Sequence, residues 1–252
     1  MNPERTIRII LPAYNEEGAI HELLQTLAKV AGQTGLRFLI IVVDDGSRDR
    51  TADIVQRAAS TLPIRLLQHS TNRGLPEALR TGFREALRDA REEDLFLTMD
   101  ADNTHPPDLI PTMVKKIDDG NDVVIASRYT RASQVRGVSS FRRLMSDGTS
   151  WLFRLILPIK GVKDFTCGYR LYHCALLKKA FESYGDAFIN QPGFSCMADI
   201  LIKLRRFDPV VAEVPLTLRY DLKKGASKMK VWKTVLETFG LILKRRLGIY
   251  HS

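Results

Sequence analysis

The chain has 252 residues, and 38 Lys and Arg residues against 29 Asp and Glu residues give it a formal net charge of +9. This length suits one α/β domain with a full hydrophobic core, and a composition of 44% hydrophobic and 27% charged residues excludes a globally disordered chain. The first residues carry no apolar stretch typical of a signal peptide, and no apolar run reaches the ~18 residues that a spanning helix needs. We therefore expect a soluble or peripheral protein.

The cysteines and histidines form no metal-ligand or disulfide pattern. There are three cysteines without CxxC spacing, and this odd number favours reduced thiols in the cytosol. The five histidines are scattered along the chain. We therefore expect no metal or redox site built from these residues.

Basic charge is concentrated in two segments. Residues 131–160 have a charge balance of +5 and residues 219–252 a balance of +7, so the rest of the chain sums to −3. Segregated basic charge is expected where a surface meets an anionic partner.

Strand and helix patterns alternate through the first half of the chain. Short apolar runs predict five strands, and one of them, at 38–43, is unbroken, as in a strand covered on both faces. Helix-period apolar stripes follow the first four runs. This alternation predicts a doubly wound, mostly parallel α/β sheet, with ligands bound at the carboxyl ends of the strands. The predicted strands are 7–11, 38–43, 64–67, 95–99 and 123–126, and helices follow near 20, 51, 76 and 107.

The regular alternation of strand and helix patterns ends after residue 129. Residues 141–157 are apolar and basic, 211–218 predict one further strand, and 227–247 predict an amphipathic helix with basic residues on its polar side. We expect one domain over residues 1–230 and a basic amphipathic C-terminal helix over 231–252. This helix could pack on the domain or lie on a membrane surface. Its apolar stripe is Trp232, Val235, Leu236, Phe239, Leu243 and Leu247.

Two carboxylates directly follow the predicted strand at 95–99. Asp100 and Asp102 are two apart, so on an extended segment both can face one point. Paired carboxylates at a sheet edge suit Mg²⁺ or Mn²⁺, which would also neutralise a diphosphate. The alternative is a solvated turn. We expect the nearby His105 to orient the loop before Pro106 and Pro107.

A second acidic pair, Asp44 and Asp45, follows the strand at 38–43. A carboxylate there could accept hydrogen bonds from a nucleotide base or ribose. The alternative is N-capping of the helix that begins near 49–51. The sequence has neither GxGxxG nor GxxxxGK[ST], so we expect a bound phosphate to be held by metal and basic side chains.

Several ordered motifs give the chain a specific resemblance. It resembles the family 2 glycosyltransferases of GT-A fold, and within them the dolichol-phosphate mannose synthases and their bacterial polyprenyl-phosphate relatives. The resemblance covers roughly residues 7–230, which it identifies as a catalytic domain. The motifs are Pro12-Ala-Tyr-Asn-Glu-Glu17, Val43-Asp-Asp-Gly-Ser-Arg-Asp-Arg-Thr51, Met99-Asp-Ala-Asp-Asn-Thr-His-Pro-Pro107, Ser127-Arg-Tyr129, Asp164-Phe-Thr-Cys-Gly-Tyr-Arg-Leu-Tyr172 and Gly225-Ala-Ser-Lys-Met229.

The resemblance implies three groups of site residues. The first group would hold the nucleoside, the second the diphosphate and metal, and the third the phosphates of donor and acceptor. Two positions depart from the family: Thr104 stands where Gln is frequent, and Lys223 or Lys224 stands where Arg is found. The groups are Pro12, Tyr14, Glu16, Val43 and Asp45; Asp100, Ala101, Asp102 and Thr104; and Arg128, Arg142 and Lys228.

The implied reaction is inverting, metal-dependent transfer of a sugar from GDP-mannose or a UDP-sugar to a polyprenyl or dolichyl phosphate. Asp100, Asp102, Arg128 and Arg142 would carry it. The implied location is the cytosolic face of a membrane, with an anionic membrane surface and a membrane-embedded protein as possible partners and no nucleic acid. A phosphate acceptor is already ionised near neutral pH, which agrees with the lack of an obvious catalytic histidine.

Three alternatives remain open from the sequence. A family 2 transferase with a soluble glycan acceptor would need a carboxylate base, for which Asp164 is the convenient candidate. A non-catalytic basic module for nucleic acid is compatible with the charge, but the basic segments lack interleaved aromatic residues. A nucleotidyltransferase would need an N-terminal glycine-rich loop, which the sequence lacks.

Overall fold

The computed structural model describes residues 5–136, 148, 155–156, 158–220 and 240–241. Its strands in the described ranges are β1 (Thr6–Ala13), β2 (Arg37–Asp44), β3 (Ile64–Gln68), β4 (Leu95–Thr98), β5 (Val123–Ser127), β6 (Gln134–Arg136), β7 (Arg170–His173), β8 (Val211–Pro215) and β9 (Thr217–Arg219). Its α-helices there are α1 (Ile20–Thr34), α2 (Thr51–Ala58), α3 (Leu75–Leu87), α4 (Ile110–Asp118), α5 (Cys174–Tyr184) and α6 (Ser195–Leu204). Short 3-10 turns cover Pro107–Leu109, Gly185–Ile189 and Arg205–Phe207.

The main sheet has seven strands in the order β3-β2-β1-β4-β7-β5-β8. All neighbouring strands are parallel except β7, which runs antiparallel to both β4 and β5. The strand order reverses between β1 and β4, and such switch points are where doubly wound sheets bind ligands. The predicted doubly wound, mostly parallel sheet is confirmed.

Burial explains why the first half of the chain folds as its pattern predicts. The apolar run in β2 is buried from Ile40 to Val43, and the predicted stripe of α1 is buried along its whole length. Helix α3 packs closely on β1 because Gly82 has no side chain: a Cβ there would lie 2.5 Å from Cγ2 of Ile10. This close approach fixes α3 against β1 and β2. Asp44 and Asp45 stand at the end of β2, and Asp100 and Asp102 follow β4; these two acidic pairs are called the acidic turns below.

The second half differs from the sequence prediction. The prediction of one strand over 211–218 is wrong, because the chain forms β8, breaks at Leu216 and continues as β9. At the break the Leu216 amide donates to the Ser127 carbonyl, and the Leu216 carbonyl accepts from the Gln134 amide, both at 3.0 Å. Strand β9 thereby leaves the main sheet and pairs in parallel with β6. Strand β7 and helices α5 and α6 were not predicted.

The predicted C-terminal helix falls almost entirely outside the described residues. Of that segment only Gly240 and Leu241 are described; both are helical, and Leu241 is buried. The apolar, basic segment 141–157 is likewise described only at 148, 155 and 156. In the part of the chain that the structure describes, no helix is both long and apolar enough to cross a bilayer.

Candidate active site

The loops that follow β1 and β2 are joined by hydrogen bonds. Residues 14–17 lie against residues 45–51, and three of the six bonds between them run from a backbone amide of the first loop to a side chain of the second. Tyr14 and Glu16 are half-buried along this contact, and Pro12 is half-buried at the end of β1. The six bonds run from Asn15 N to Ser47 Oγ (2.9 Å), Arg48 N to Asn15 Oδ1 (2.8 Å), Glu16 N to Thr51 Oγ1 (2.8 Å), Glu17 N to Asp49 Oδ2 (3.1 Å), and Arg50 N and Nε to Glu17 Oε2 (3.3 and 3.1 Å).

Asp45 holds the loop that follows β3. Its Oδ1 accepts from the backbone amide of Arg73 at 2.9 Å and lies 2.6 Å from Nδ1 of His69, and its Oδ2 accepts from the amide of Gly74 at 2.7 Å. The loop lies directly on Gly46, where a Cβ would come within 2.5 Å of the Thr71 backbone and where φ is +70°. The alternative that Asp45 caps α2 is therefore wrong.

Asp100 stands at the open end of β4. Its side chain is 42% exposed, and its backbone amide donates to Nδ1 of His105 at 3.1 Å. Because Nδ1 accepts this bond, the proton of the neutral imidazole is on Nε2, which lies 3.9 Å from Oδ2 of Asp100. The His105 ring stacks on Tyr169 at 5.1 Å between ring centroids. His105 thus orients the loop, as the sequence predicted.

Asp102 is nearly buried, and Thr104 fixes its carboxylate. Oδ1 of Asp102 accepts from the Thr104 amide at 3.2 Å and from the Thr104 hydroxyl at 2.6 Å. Thr104 therefore contacts the pair of Asp100 and Asp102 by its hydrogen bonds to Asp102. Ala101 lies between the two aspartates and is also buried.

The donor set at this edge fits a hard divalent cation that is shared with a ligand. Among residues 5–136 and 158–220, no cluster of three or more His, Cys, Asp or Glu side chains is arranged to hold a metal. An ion that also binds a diphosphate needs only one or two protein carboxylates, because phosphate and water oxygens complete its coordination. Asp100 and Asp102 are oxygen donors of this kind, and the exposed Asp100 is open to a ligand.

Arg128 forms an ion pair with the buried Asp164, across 36 residues of sequence. Nε and Nη2 of Arg128 donate to the two carboxylate oxygens at 2.8 and 2.7 Å, and its backbone amide donates at 3.0 Å. Nη2 also donates to Thr166 Oγ1 at 2.7 Å. In the described part of the chain this leaves Nη1 as the nitrogen that can grip a ligand. The guanidinium is therefore held rigidly at the end of β5.

Asp164 is not an available base. It is fully buried, and both of its oxygens are occupied by Arg128 and by the amides of Thr166 and Cys167. Burial by itself raises the pKa of Asp164, but the charge and hydrogen bonds of Arg128 outweigh it and lower that pKa below the ordinary value. The sequence-based suggestion that Asp164 could be a catalytic base is wrong.

The motif that contains Asp164 also reaches the acidic turn of β4. A Cβ on Gly168 would lie 3.4 Å from Oδ1 of Asp100, and the Gly168 carbonyl accepts from the Thr98 hydroxyl at 2.7 Å. The segment before β7 therefore lies beside Asp100. Residues 164–172 resemble a family motif, but the sequence does not show that this motif lies next to Asp100, more than 60 residues earlier.

Three further predicted residues have different outcomes. Val43 is fully buried in β2, so it supports the Asp45 turn from the core and presents no side chain to a ligand. Arg142 and Lys228 lie outside the described residues, and their roles stay predictions.

The two-stranded sheet of β6 and β9 lies beside the acidic turn that follows β4, and the segments that contain Arg142 and Lys228 follow these two strands. Arg136 and Arg219 are paired at the ends of the parallel strands β6 and β9, and the Arg219 amide donates to the Thr104 carbonyl at 3.1 Å. The segment that contains Arg142 and the segment that contains Lys228 therefore both begin beside the loop of Asp102.

The loop that follows β3 also contacts the site, although none of its residues was predicted to. His69, Arg73 and Gly74 all contact Asp45, yet none was a predicted site residue. A signal was present, because His69 directly follows a strand whose carboxyl end lies at the same sheet edge as Asp45.

A doubly wound sheet with acidic residues following β2 and β4, on both sides of its switch point, has the architecture of the GT-A glycosyltransferase fold. The chain belongs to the family described as "Glycosyl transferase family 2", because the model of that family matches residues 8–185. The fold and the family expected from the sequence motifs are therefore confirmed.

Two relatives and one solved structure show how similar the chain is to known proteins. It is 35% identical over 232 residues to a dolichol-phosphate mannosyltransferase of Pyrococcus furiosus, covering 92% of this chain but only 61% of that protein. It is 30% identical over 231 residues to a polyprenol monophosphomannose synthase of Mycolicibacterium smegmatis, covering 91% of this chain and 83% of that protein. Glucosyl-3-phosphoglycerate synthase from Mycobacterium tuberculosis, solved with Mn²⁺, uridine-diphosphate and glucosyl-3-phosphoglycerate, has a TM-score of 0.66 at 20% identity, covering 98% of this chain and 81% of that one, which shows a shared fold.

The Arg128–Asp164 pair predicts a pH-dependent loss of stability. Arg128→Ala leaves a buried carboxylate without its partner, which costs about 3–5 kcal/mol at pH 7. Without Arg128, burial raises the Asp164 pKa, so the folded variant takes up a proton as the pH falls and recovers part of this loss. In the unaltered protein the lowered Asp164 pKa keeps the pair intact until the pH falls below the ordinary Asp range. Urea unfolding at pH 7 and pH 5 measures both effects.

The double variant Arg128→Ala with Asp164→Asn is the control. It should lose less stability than Arg128→Ala alone at pH 7, because it buries no unpaired charge. Equal losses for the two variants, independent of pH, would contradict this account of the pair.

Proposed function

We propose that this protein transfers a sugar from a nucleotide sugar to the phosphate of a polyprenyl lipid, with inversion at the sugar. The observation that carries the proposal is the placing of Asp45 after β2 and of Asp100 and Asp102 after β4, the two strands that flank β1 on both sides of the switch point. The names of the two relatives, which specify dolichol phosphate and polyprenol monophosphate mannose transfer, support the lipid acceptor. The donor is GDP-mannose or a UDP-sugar.

Asp100 and Asp102 would hold the divalent ion, Mg²⁺ or Mn²⁺. When bound, such an ion neutralises the diphosphate of the donor and of the departing nucleotide. The structure of similar fold that contains Mn²⁺ together with uridine-diphosphate supports a divalent ion in this fold. The hydrogen bonds from Thr104 hold the Asp102 carboxylate in one orientation, ready for this contact.

The reaction itself needs little acid–base help from the chain. An oxygen of the lipid phosphate forms a bond to the anomeric carbon, and the bond from that carbon to the nucleoside diphosphate breaks, with its electron pair leaving on the diphosphate. The phosphate is already ionised near neutral pH, since its second pKa is about 6. The chain must instead bring two anions together and orient them.

The state of Asp164 favours a phosphate acceptor over a sugar hydroxyl. A hydroxyl must lose its proton to a base, and the candidate base is buried and fully hydrogen-bonded to Arg128 and to two backbone amides. What the Asp164 pair provides is a rigid guanidinium. Nη1 of Arg128 would contact a phosphate oxygen.

Arg142 and Lys228 would grip the phosphates from the segments that follow β6 and β9. Arg142 is six positions after Arg136, and Lys228 is nine positions after Arg219. The bond from the Arg219 amide to the Thr104 carbonyl starts both segments beside the acidic turn, which supports their reaching the same site.

A lipid acceptor also implies contact with a membrane surface. The C-terminal segment carries six basic residues between Lys228 and Arg246. At ~1 kcal/mol per basic residue near an anionic leaflet, their contribution has a ceiling of about 6 kcal/mol, which suffices for reversible docking. We propose peripheral association with the cytosolic leaflet.

Asp102→Asn tests the metal assignment. Asparagine keeps an oxygen that can accept the Thr104 hydrogen bonds but loses the charge, so the fold should persist. Metal-dependent transfer should fall by about 100-fold or more, because transition-state charge stabilisation by a metal is worth several kcal/mol. The measurement is transfer to a polyprenyl phosphate from a panel of nucleotide sugars with Mn²⁺ or Mg²⁺. The exposed Asp108 on the same loop gives the matched control Asp108→Asn, and wild-type turnover by Asp102→Asn would refute the assignment.

Arg142→Ala tests the acceptor grip. Loss of a hydrogen bond to a charged phosphate costs about 1.5–3 kcal/mol, so the acceptor KM should rise about 10- to 100-fold. The donor KM should change far less. Arg143→Ala is the neighbouring control. Equal rises in both KM values for Arg142→Ala would point to general disruption and against a specific acceptor contact.

Charge removal from the C-terminal segment tests membrane association. Lys244→Gln, Arg245→Gln and Arg246→Gln together should weaken flotation with anionic vesicles, and high salt should release the unaltered protein by screening. Nucleotide-sugar binding should stay the same. A control variant removes three exposed charges elsewhere, at Lys29, Arg57 and Lys179. If both variants float like the unaltered protein, segment 141–157 becomes the candidate surface.

A further inference from the structure

His69 lies between the site and the helix behind it. It directly follows β3, its side chain is only 6% exposed, and both ring nitrogens have partners. Nδ1 is 2.6 Å from Oδ1 of Asp45, and Nε2 is 3.0 Å from Oγ1 of Thr81 on α3. The His69 backbone amide also donates to the Asp44 carbonyl at 2.9 Å. One side chain therefore ties β2, β3 and α3 together at the sheet edge.

The chemistry of the partners fixes the direction of the first bond. An ionised carboxylate only accepts hydrogen bonds, so Nδ1 of His69 carries the proton that Asp45 receives. In the neutral ring Nε2 then accepts the hydroxyl proton of Thr81. The imidazole cannot turn without breaking both bonds, and α3 cannot shift easily because Gly82 packs against Ile10. His69 thus anchors the Asp45 carboxylate to the core.

This anchoring decides which oxygen of Asp45 a ligand can use. Oδ1 receives two bonds, from His69 and from the Arg73 amide, whereas Oδ2 receives one, from the Gly74 amide. A carboxylate oxygen can accept two hydrogen bonds. Within the residues that the structure describes, the remaining acceptor position is therefore on Oδ2.

We propose that His69 is a positioning residue for the nucleotide: it holds Asp45 so that Oδ2 accepts a hydrogen bond from an N–H of the base or an O–H of the ribose. The proposal rests on the proposed function, because it concerns the donor side of the same site. His69 acts through Asp45 and touches no reacting atom. Its loss should therefore weaken nucleotide binding and leave the chemical step and the acceptor side unchanged.

Three variants separate the two bonds of the ring. His69→Leu removes both, Thr81→Val removes only the bond to Nε2, and His69→Asn keeps an N–H near the position of Nδ1. The dissociation constant of the nucleoside diphosphate, measured by calorimetry with Mn²⁺, should rise about 10- to 100-fold for His69→Leu and only a few-fold for Thr81→Val. His69→Asn should restore most of the affinity. The exposed His21 on α1 supplies the control His21→Leu, which should bind as the unaltered protein does.

Steady-state kinetics distinguish positioning from a general structural effect. For His69→Leu the donor KM should rise with the dissociation constant, while kcat at saturating donor and the acceptor KM stay within about 2-fold. Similar rises in donor and acceptor KM, or a fall in kcat alone, would overturn the proposal. If His69→Leu does not fold, the expected few-fold loss for Thr81→Val and the retained affinity of His69→Asn still decide it.

A 2′,3′-dideoxynucleoside diphosphate distinguishes the two sources of the donor group. If the ribose supplies the O–H, His69→Leu should no longer weaken binding of this analogue. If the base supplies the N–H, the loss should stay the same. A wild-type protein that binds no nucleoside diphosphate would refute the proposed function itself, whereas equal binding by the wild type and His69→Leu would refute only the role of His69.

Discussion

The parallel pairing of β1 with β2 on one side and with β4 on the other determines where the site lies. Ala13 pairs with Asp44, and Ile10 pairs with Thr98, so three strands end beside one another at the same edge. Most residues of this pairing are buried and apolar, and their burial drives the arrangement. The acidic turns repel one another, so they come together because the hydrophobic strands beneath them place them there.

Each buried carboxylate of the site is stabilised by its own local donors. Asp45 accepts from two backbone amides and an imidazole, Asp102 accepts from the amide and hydroxyl of Thr104, and Asp164 accepts from a guanidinium and three backbone amides. Buried charge is tolerable only with such partners. The three differ in what they leave open. Both oxygens of Asp164 are occupied and hold Arg128, whereas among the described residues Asp45 accepts only one hydrogen bond at Oδ2.

The sequence predicts the half of the fold in which hydrophobic pattern and structure coincide. Strands β1 to β5 and the stripe of α1 follow from apolar runs and helical period alone, and the motifs locate Asp45, Asp100 and Asp102 at strand ends. Strand β7 could not be predicted, because four residues that include Arg170 resemble no buried strand. The guanidinium of Arg170 is buried, and it donates hydrogen bonds to the carbonyls of Phe165 and Met197. No local sequence pattern reveals these partners. The same limit explains Asp164: only the folded chain shows that Arg128, 36 residues earlier, occupies it.

The late arrival of β7 at the centre of the sheet affects how the protein is assembled during synthesis. Strands β4 and β5 follow one another along the chain but do not pair, because β7 lies between them. A ribosome adds residues 128–173 in roughly 2–9 s, and during that time the edges of β4 and β5 that β7 will occupy have no partner. Unpaired edges of this kind are templates for wrong pairing between chains. A fragment that ends at residue 127 would contain both acidic turns but lack β7, which lies between β4 and β5, so we expect it not to fold as an independent unit.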